Sequence, residues 1–390
     1  MNRTELREEI KKMRFEEAYG SWRSRELTQE QAARLLGVSV RTFRRYISRY
    51  EEEGLEGLFD RRLNRPSHRK ASEVEIKQLE DLYKNRYEGF NVRHFYSKYV
   101  NEHGGSRSYS WVKNTLQSKG LVIKGKKRGR HRKKRPRSPY PGMMLLQDGS
   151  RHEWVSGKRW DLIVTMDDAT NEHYSMFFVD EEGTWSSLVG IKEVIEKKGL
   201  FSSLYTDRGS HYWHTPEAGG EVDKKNLTQF GRAMKELSIE MIPAYSPEAK
   251  GRIERVFSTH QDRLVKELAL HGITDMKEAN RYLQEHYLPA YNKEFKVSPL
   301  AQGNAFVPWI GGSLDDILCE KHERTVNNDN CVSFKGLPLQ IPSNEYRCHY
   351  VKAKVRVHCY LDGSMAIFHG PRKLAEYDEN GELRQFREVA

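Results

Sequence analysis

Long apolar runs are missing from this sequence. No window of about 18 consecutive apolar residues occurs, which argues against a transmembrane helix and predicts no membrane partner. Cysteine is scarce: Cys319, Cys331, Cys348 and Cys359 all lie toward the C-terminus, without the close CxxC pairing of a zinc site. They read as reduced thiols, buried or strand-borne. The opening residues MNRTELREEIKKM are charged and helical in character and lack the apolar core of a secretion signal. The expected setting is cytoplasmic.

Acidic residues are outnumbered. Lys and Arg total 66 against 55 Asp and Glu, for a net charge of +11, so a polyanion is a natural partner. At 390 residues the chain is too long for one compact core and should be multidomain. The positive charge is concentrated rather than spread. Residues 124–137, KGKKRGRHRKKRPR, hold ten Lys or Arg and no acid. Such a block repels itself, stays extended when free and suits a phosphate backbone. Its candidate DNA contacts are Lys126, Lys127, Arg128, Arg130, Arg132, Lys133, Lys134 and Arg135. Pro136, Pro139 and Pro141 stiffen its end and mark a domain boundary.

Before that linker the sequence reads as helical. Thr28 followed by Gln31 is a capping-box pattern that opens a helix, with Ala32, Ala33, Leu35 and Leu36 as its buried stripe and Gly37 as its end. A second helix follows, with Val40, Phe43, Tyr46 and Ile47 on one face and Arg41, Arg44, Arg45 and Arg49 on the other. That is the layout of a helix-turn-helix, whose second helix enters the major groove of double-stranded DNA. Arg41, Thr42, Arg44, Arg45 and Arg49 are its candidate DNA contacts. Val74, Ile76, Leu79 and Leu82, then Phe95, Tyr99 and Val100, then Trp111, Val112 and Leu116 suggest a second unit of this kind. Its last helix, capped by Ser108 or Ser110, would turn Lys113 and Asn114 outward to DNA.

From Met143 the composition changes. Strand-like runs MMLLQD, WDLIVTMDD and YSMFFVD precede a helix over Thr184–Lys198, a strand at 202–207, a helix near Leu227–Leu237, a strand at 239–243 and a long helix from Pro247 to Leu270. This is a mixed α/β domain. Two acids sit where strands are expected to end: Asp148, followed by Gly149, and Asp207, followed by Arg208-Gly209. A carboxylate at such an edge points into the crevice where α/β folds bind ligands. Glu254 lies on the long helix, where Ile253, Val256 and Phe257 would face the sheet and leave it near the edge. Phosphodiester cleavage needs an activated oxygen and stabilised charge, which two Mg²⁺ ions can supply, and such hard cations want carboxylate oxygens. Asp148, Asp207 and Glu254 are therefore the candidate catalytic and metal-holding set, with Lys250 and Arg252 beside Glu254 as candidate phosphate contacts. Beyond Phe306 the runs CVSFKGLPLQI, KAKVRVHCYL and SMAIFHG, with turns at Gly336 and Asp362-Gly363, predict a small all-β barrel.

Asp148 in QDGS, Asp207 in YTDRGS and Glu254 in SPEAKGRIERVF resemble the signature of insertion-sequence transposases with a retroviral-integrase-like, DDE catalytic core. GVSVRTFRRYISRYEEEGLEGLFDRR looks like their N-terminal helix-turn-helix, and MDDAT like the end of their second core strand. The resemblance spans roughly residues 25–300. It implies a ribonuclease H-like fold, Mg²⁺ or Mn²⁺ as cofactor at two ions per site, cleavage at element ends and attack of the freed 3′-hydroxyl on target DNA. It also implies a bacterial, nucleoid-associated setting and at least a homodimer, because two DNA ends must meet. One departure stands out: 46 residues separate Asp207 from Glu254, more than the family usually places there. The excess falls in HYWHTPEAGGEVDKKN, read as a loop insertion at 211–226. Glu248 is the reserve third ligand, Glu240 a further alternative, and Asp167 or Asp168 is expected to support a turn. A regulator that has lost catalysis and a nuclease without strand joining are the rival readings.

The expected division is therefore a helix-turn-helix domain at 1–68, a second one at 69–123, a basic linker at 124–141, the catalytic core at 142–300, a connector at 301–325 and the small barrel at 326–390.

Overall fold

The computed structural model describes residues 3–58, 70–125, 135–217, 220–245, 251–343 and 347–384. The chain divides into two compact units, residues 1–79 and 80–390.

The first unit contains three helices, α1 (Arg3–Arg23), α2 (Gln29–Leu35) and α3 (Val40–Glu53). The capping box expected at Thr28 is present, with Thr28 and Gln31 each satisfying the other's backbone N–H. Ser39 caps α3 by accepting from the Thr42 N–H. The core is aromatic: Phe15 and Tyr19 of α1 pack against Phe43 and Tyr50 of α3. Ala32 and Ala33 are buried as expected, but Leu35 is 61% exposed and is no part of the buried stripe. A helix of seven residues buries one narrow edge, and the two alanines occupy it.

In the second unit, α5 (Val92–Asn101) and α6 (Tyr109–Ser118) follow α4 (Glu73–Arg86), which crosses from one unit to the other. Ser108 caps α6 by accepting from Trp111 N–H, and Val112 and Leu116 point inward. Val74, expected to be buried, is 67% exposed. The inward side here is instead carried by Tyr83, Tyr87, Phe90 and Phe95, whose rings meet edge-on.

The central sheet has five strands: β1 (Met144–Val155), β2 (Lys158–Asp167), β3 (His173–Val179), β4 (Ser203–Thr206) and β5 (Glu240–Pro243), in the order β3-β2-β1-β4-β5. The first three form an antiparallel meander, and β4 and β5 join β1 in parallel. Two helices, α7 (Thr184–Lys198) and α8 (Gln229–Glu236), cover one face with Leu145, Leu204 and Phe230. The other face takes α9 (Ile253–Leu270), α10 (Met276–Tyr282), a π-turn at Leu283–Tyr287 and α11 (Leu288–Phe295), over Leu146, Leu162 and Val164. The bounds of α7 match the sequence expectation.

One strand departs from expectation. β1 does not stop at Asp148 but continues to Val155, paired throughout with β2, and the chain turns only at Gly157, whose φ is +76°. Gly149 is a strand residue here, not a turn. The alternation that buries Leu146 and Ser150 carries on to Trp154, and that apolar payload extends the hairpin.

The C-terminal region is all β, but among the described residues it is not a closed barrel. β6 (Glu320–Thr325), β9 (Lys354–Cys359), β10 (Met365–His369), β11 (Arg372–Tyr377) and β12 (Leu383–Arg384) form an open antiparallel sheet in the order β12-β11-β10-β9-β6. β7 (Cys331–Phe334) and β8 (Leu337–Gln340) pair separately around a turn in which Lys335 and Gly336 both have positive φ. β6 comes from the stretch expected to be a connector. All four cysteines are free thiols, three of them buried and Cys348 exposed.

A buried histidine pair joins β3 to α9. His173 donates from Nδ1 to the Asn171 carbonyl at 3.0 Å, and its Nε2 lies 3.1 Å from His260 Nε2. His260 Nδ1 lies 3.0 Å from the Tyr287 hydroxyl supplied by the π-turn. Both rings are neutral in this chain of bonds, which leaves no acceptor for a further proton. Burial pulls His173 down to about 4 and His260 well below its usual range. The unfolded chain therefore binds protons that the folded chain refuses as pH drops below about 6.5. Stability should fall between pH 6.5 and about 4, on the order of 3 kcal/mol from His173. Denaturant unfolding across that range measures it, and a flat profile would show that the pair opens without unfolding.

Candidate functional site

Asp148 lies on β1 and Asp207 is the first residue beyond β4. The two strands pair as far as Leu146 and Tyr205, and Asp148 and Asp207 each lie two residues beyond that last pair. Side chains alternate across a strand, so Leu146, Asp148 and Ser150 share a face. Leu146 and Tyr205 pack with the α9 cluster, and Gln261 of α9 donates to Ser150 Oγ at 3.1 Å. Both aspartates therefore belong to the α9 side of the sheet, where β4 ends and the edge opens. Asp207 Oδ1 accepts the Gly209 N–H at 2.7 Å, which turns the chain away at that point.

Glu254 sits exposed in the first turn of α9, while Ile253, Val256 and Phe257 are buried against the sheet, as expected. Among the described residues no three of histidine, cysteine, aspartate and glutamate gather closely enough to hold a metal ion. Asp148 and Asp207 thus belong to neighbouring stretches of the sheet and Glu254 to the helix covering it, without all three being drawn into one cluster. The donor chemistry, carboxylate oxygen without thiolate, is that preferred by Mg²⁺. Glu240 begins β5. Glu248 and Lys250 lie outside the described residues, as do Lys126, Lys127, Arg128, Arg130, Arg132, Lys133 and Lys134.

Three residues near the aspartates had no place in the sequence reading. The Tyr212 hydroxyl is buried beneath them, accepting from Ser187 Oγ at 3.1 Å and donating to Gln147 Oε1 at 3.2 Å. Burial first, then the charge of Glu182 and the charges of Asp148 and Asp207, push this phenol well above its usual range. The Glu182 carboxylate lies against Gly149, where an added Cβ would come within 2.2 Å of Oε2, and it reaches His211 Nε2 at 3.4 Å. The stretch read as a loop insertion supplies His211, Tyr212 and the buried Trp213, so its beginning is core. Three aromatic residues in a row after Asp207-Arg208-Gly209-Ser210 were the available signal.

Asp167 and Asp168 are structural. Asp167 accepts from Gly142 N at 2.9 Å and from both N and Oγ1 of Thr170 at 2.8 Å, closing the turn after β2. Asp168 is fully buried, accepts from Ser138 N at 2.8 Å, and binds the guanidinium groups of Arg135 and Arg252. Those two arginines, expected on DNA, are occupied by a carboxylate of the protein itself.

The remaining expected contacts lie on helices. On α3, Arg41, Arg44 and Arg45 are exposed and Thr42 and Arg49 are half-buried; Arg44 Nε donates to Gln29 Oε1 at 2.9 Å. On α6, Asn114 is exposed and Lys113 half-buried.

The described residues thus combine a helical pair presenting arginines with a mixed sheet that carries Asp148 on β1 and Asp207 just beyond β4. A family model described as "Winged helix-turn helix" matches residues 21–77. The described residues of the first unit are helical, without a strand. The chain is 29% identical over 347 residues to the "Putative transposase y4bF" of Sinorhizobium fredii (strain NBRC 101917 / NGR234), covering 87% of this chain and 75% of that protein. It is 25% identical over 302 residues to the "Transposase for insertion sequence IS1202" of Streptococcus pneumoniae, covering 69% of this chain and 65% of that one. Among solved structures, a simian T-cell lymphotropic virus intasome aligns at 15% identity and a TM-score of 0.34, covering 67% of this chain and 85% of that one. The magnesium-bound HTLV-2 integrase catalytic core aligns at 15% identity and 0.29, covering 39% and 86%. Over most of its length, then, the chain resembles insertion-sequence transposases.

The exposed arginines of α3 generate a direct expectation. Alanine at a base-reading member of Arg41, Arg44 and Arg45 should cost about 1–3 kcal/mol of binding and relax sequence preference. Alanine at a phosphate-contacting member should weaken all duplexes alike. Footprinting the full chain on the inverted repeats flanking its gene separates the two, and wild-type footprints in all three variants would remove α3 from the interface.

Proposed function

We propose that this chain is a DNA transposase that binds the ends of a mobile element, cuts there and joins the freed 3′-hydroxyl to target DNA. The observation that supports it most is the parallel pairing of β1 with β4 up to Leu146 and Tyr205, since Asp148 and Asp207 each follow that pair by two residues. The similarity to two transposases over most of the chain points the same way. On this reading the core is ribonuclease H-like, and Asp148, Asp207 and Glu254 would hold Mg²⁺ or Mn²⁺, two ions per site. When bound, such ions activate the attacking oxygen and stabilise charge on the phosphate and the leaving oxygen.

The chain's own residues bind and orient. The α3 arginines hold the element end, and the basic linker tracks the phosphates toward the core. Asp207, anchored by the Gly209 N–H, and Asp148, fixed within a paired strand, keep the carboxylates in place. In the first step a water oxygen bonds to phosphorus and the bond to the 3′-oxygen breaks, leaving a 3′-hydroxyl. In the second, that hydroxyl bonds to a target phosphorus and releases the target's own 3′-oxygen. Two ends must meet, so the working form is at least a dimer on DNA.

Asp148→Asn, Asp207→Asn and Glu254→Gln each remove a ligand charge at little change in volume. Each should abolish strand cleavage in Mg²⁺ while gel-shift binding of the element end stays near wild type. Wild-type cleavage by Glu254→Gln would move the third ligand to Glu248 or Glu240.

The linker has its own signature. Each phosphate neutralised adds about 0.9 to the slope of log K against log[salt], so Lys133→Gln with Lys134→Gln should flatten it by roughly 2. Arg135 is left out because its guanidinium holds Asp168. Sequence preference should stay unchanged, since phosphate contacts position without reading bases. A titration from low to physiological salt decides it, and an unchanged slope makes the run a tether.

A further inference from the structure

The helix that carries Glu254 has a second partner besides the sheet. Between two and four turns beyond Glu254, α9 meets α5 in a polar contact that is almost wholly out of solvent. His94 Nε2 donates to Glu267 Oε1 at 2.6 Å and Lys98 Nζ to Glu267 Oε2 at 2.8 Å, while the Tyr282 hydroxyl of α10 donates to the same Oε2 at 2.9 Å. The side chains of His94 and Glu267 are 3% and 6% exposed. Around this centre, Asn91 binds Asp262, and Arg93 lies 3.6 Å from Glu294, which Arg263 grips through two bonds of 2.8 and 3.1 Å. Phe90 stacks on His94 with ring centroids 4.5 Å apart.

The charges balance simply. Burial alone would raise the Glu267 carboxyl, but its bonds from His94 and Lys98 outweigh that and hold it down to about 2. Burial also lowers His94, so it stays neutral, donating from Nε2 with Nδ1 left without a partner. Lys98 is the cation opposite Glu267. A buried, multiply bonded ion pair of this kind is of little value as general stabilisation, yet removing one member leaves the other charged and stranded. Such contacts fix a geometry. The geometry fixed here is that of α5, and with it α6 and its outward Lys113 and Asn114, against the helix bearing Glu254.

We propose that Glu267 is a positioning residue which, through His94 and Lys98, locks the α5–α6 unit to α9, so that DNA held by α6 meets the Asp148–Asp207 edge at a set distance. This rests on the transposase reading above. Its consequence is that the second helical unit serves as a ruler for the cut rather than as an independently tethered reader.

The test uses the full chain on a labelled duplex made from the inverted repeats flanking its gene. It compares wild type with Glu267→Ala, Glu267→Gln and His94→Leu. Glu267→Ala should keep its apparent affinity and KM. Its kcat should fall on the order of 10²-fold, the scale set by about 1 Å of misplacement. Its cuts should scatter over neighbouring phosphates. Glu267→Gln keeps one acceptor oxygen at the same place and should restore the single cut position in part. His94→Leu, which removes the donor on the other helix, should scatter the cuts in the same way and covers the case in which Glu267→Ala does not fold. Unscattered cuts at wild-type kcat in either folded variant would overturn the proposal. So would a parallel loss of binding and thermal stability with the cut position intact, since that marks a purely structural contact. If wild type neither binds nor cuts the duplex, the transposase reading fails first and takes this one with it.

Discussion

Asp168 is a carboxylate without solvent, at the point where β2 ends and three separate stretches of chain converge. It accepts the backbone N–H and hydroxyl of Ser138, binds Arg135 from the end of the basic segment, and binds Arg252 immediately before α9. Its own N–H donates to the Met144 carbonyl at the start of β1. Arg137 closes the ring by donating to the Asp168 carbonyl at 3.0 Å and to Asn171 Oδ1 at 3.0 Å. A buried anion is tolerable only when its oxygens are satisfied this fully. The same arrangement ties the entry of the linker, the beginning of the strand carrying Asp148 and the beginning of the helix carrying Glu254 to one atom group.

The consequence for Glu254 is geometric. A helix held at both ends over a sheet has little freedom to slide. Arg252 holds α9 at its start, Gln261 holds its middle to Ser150, and Glu267 holds its later turns to α5. Asp148 needs no comparable device, because its pairing with Val164 of β2 already fixes it, and Asp207 is held by the Gly209 N–H. Rigid elements and short anchors are what a site requires when distance to a phosphate decides rate.

How much of this was legible in the sequence follows from the range of the interactions involved. The α7 bounds, the Thr28 capping box and the buried triad Ile253, Val256 and Phe257 depend on neighbours within a few positions, and the pattern shows them. β1 was read too short because Gly149 looks like a turn, whereas its missing Cβ makes room for Glu182. Leu35 and Val74 were assigned to buried stripes because periodicity marks a face without saying what covers it. Glu182 meets His211 and Tyr212 from a stretch some thirty residues earlier in the chain, and no spacing rule links it to them. Closure of the C-terminal strands was illegible for the same reason: a barrel needs its first and last strands to pair, and the hydrophobic alternation that identifies each strand is the same in an open sheet. The ion pairs of Asp168 and Glu267 join residues far apart in sequence, and a single sequence cannot say which arginine meets which acid.

The two faces of the central sheet have different tenants, and this bears on where DNA can lie. On one side α7 and α8 are covered in turn by the C-terminal sheet. Trp185 of α7 packs into both clusters, Gln229 of α8 exchanges two backbone bonds with Lys321 of β6, and Arg232 donates to the Ile317 carbonyl. That side is closed by protein. On the other side α9 meets α5 along its later turns, and among the described residues Glu254 in its first turn is exposed. The helices meant for DNA precede this face in the chain, and the linker that follows them is anchored by Asp168 at the start of the same helix. Among the described residues, the Asp168 anchor and the helix carrying Glu254 thus fall on one side of the sheet, and the C-terminal strands cover the helices of the other.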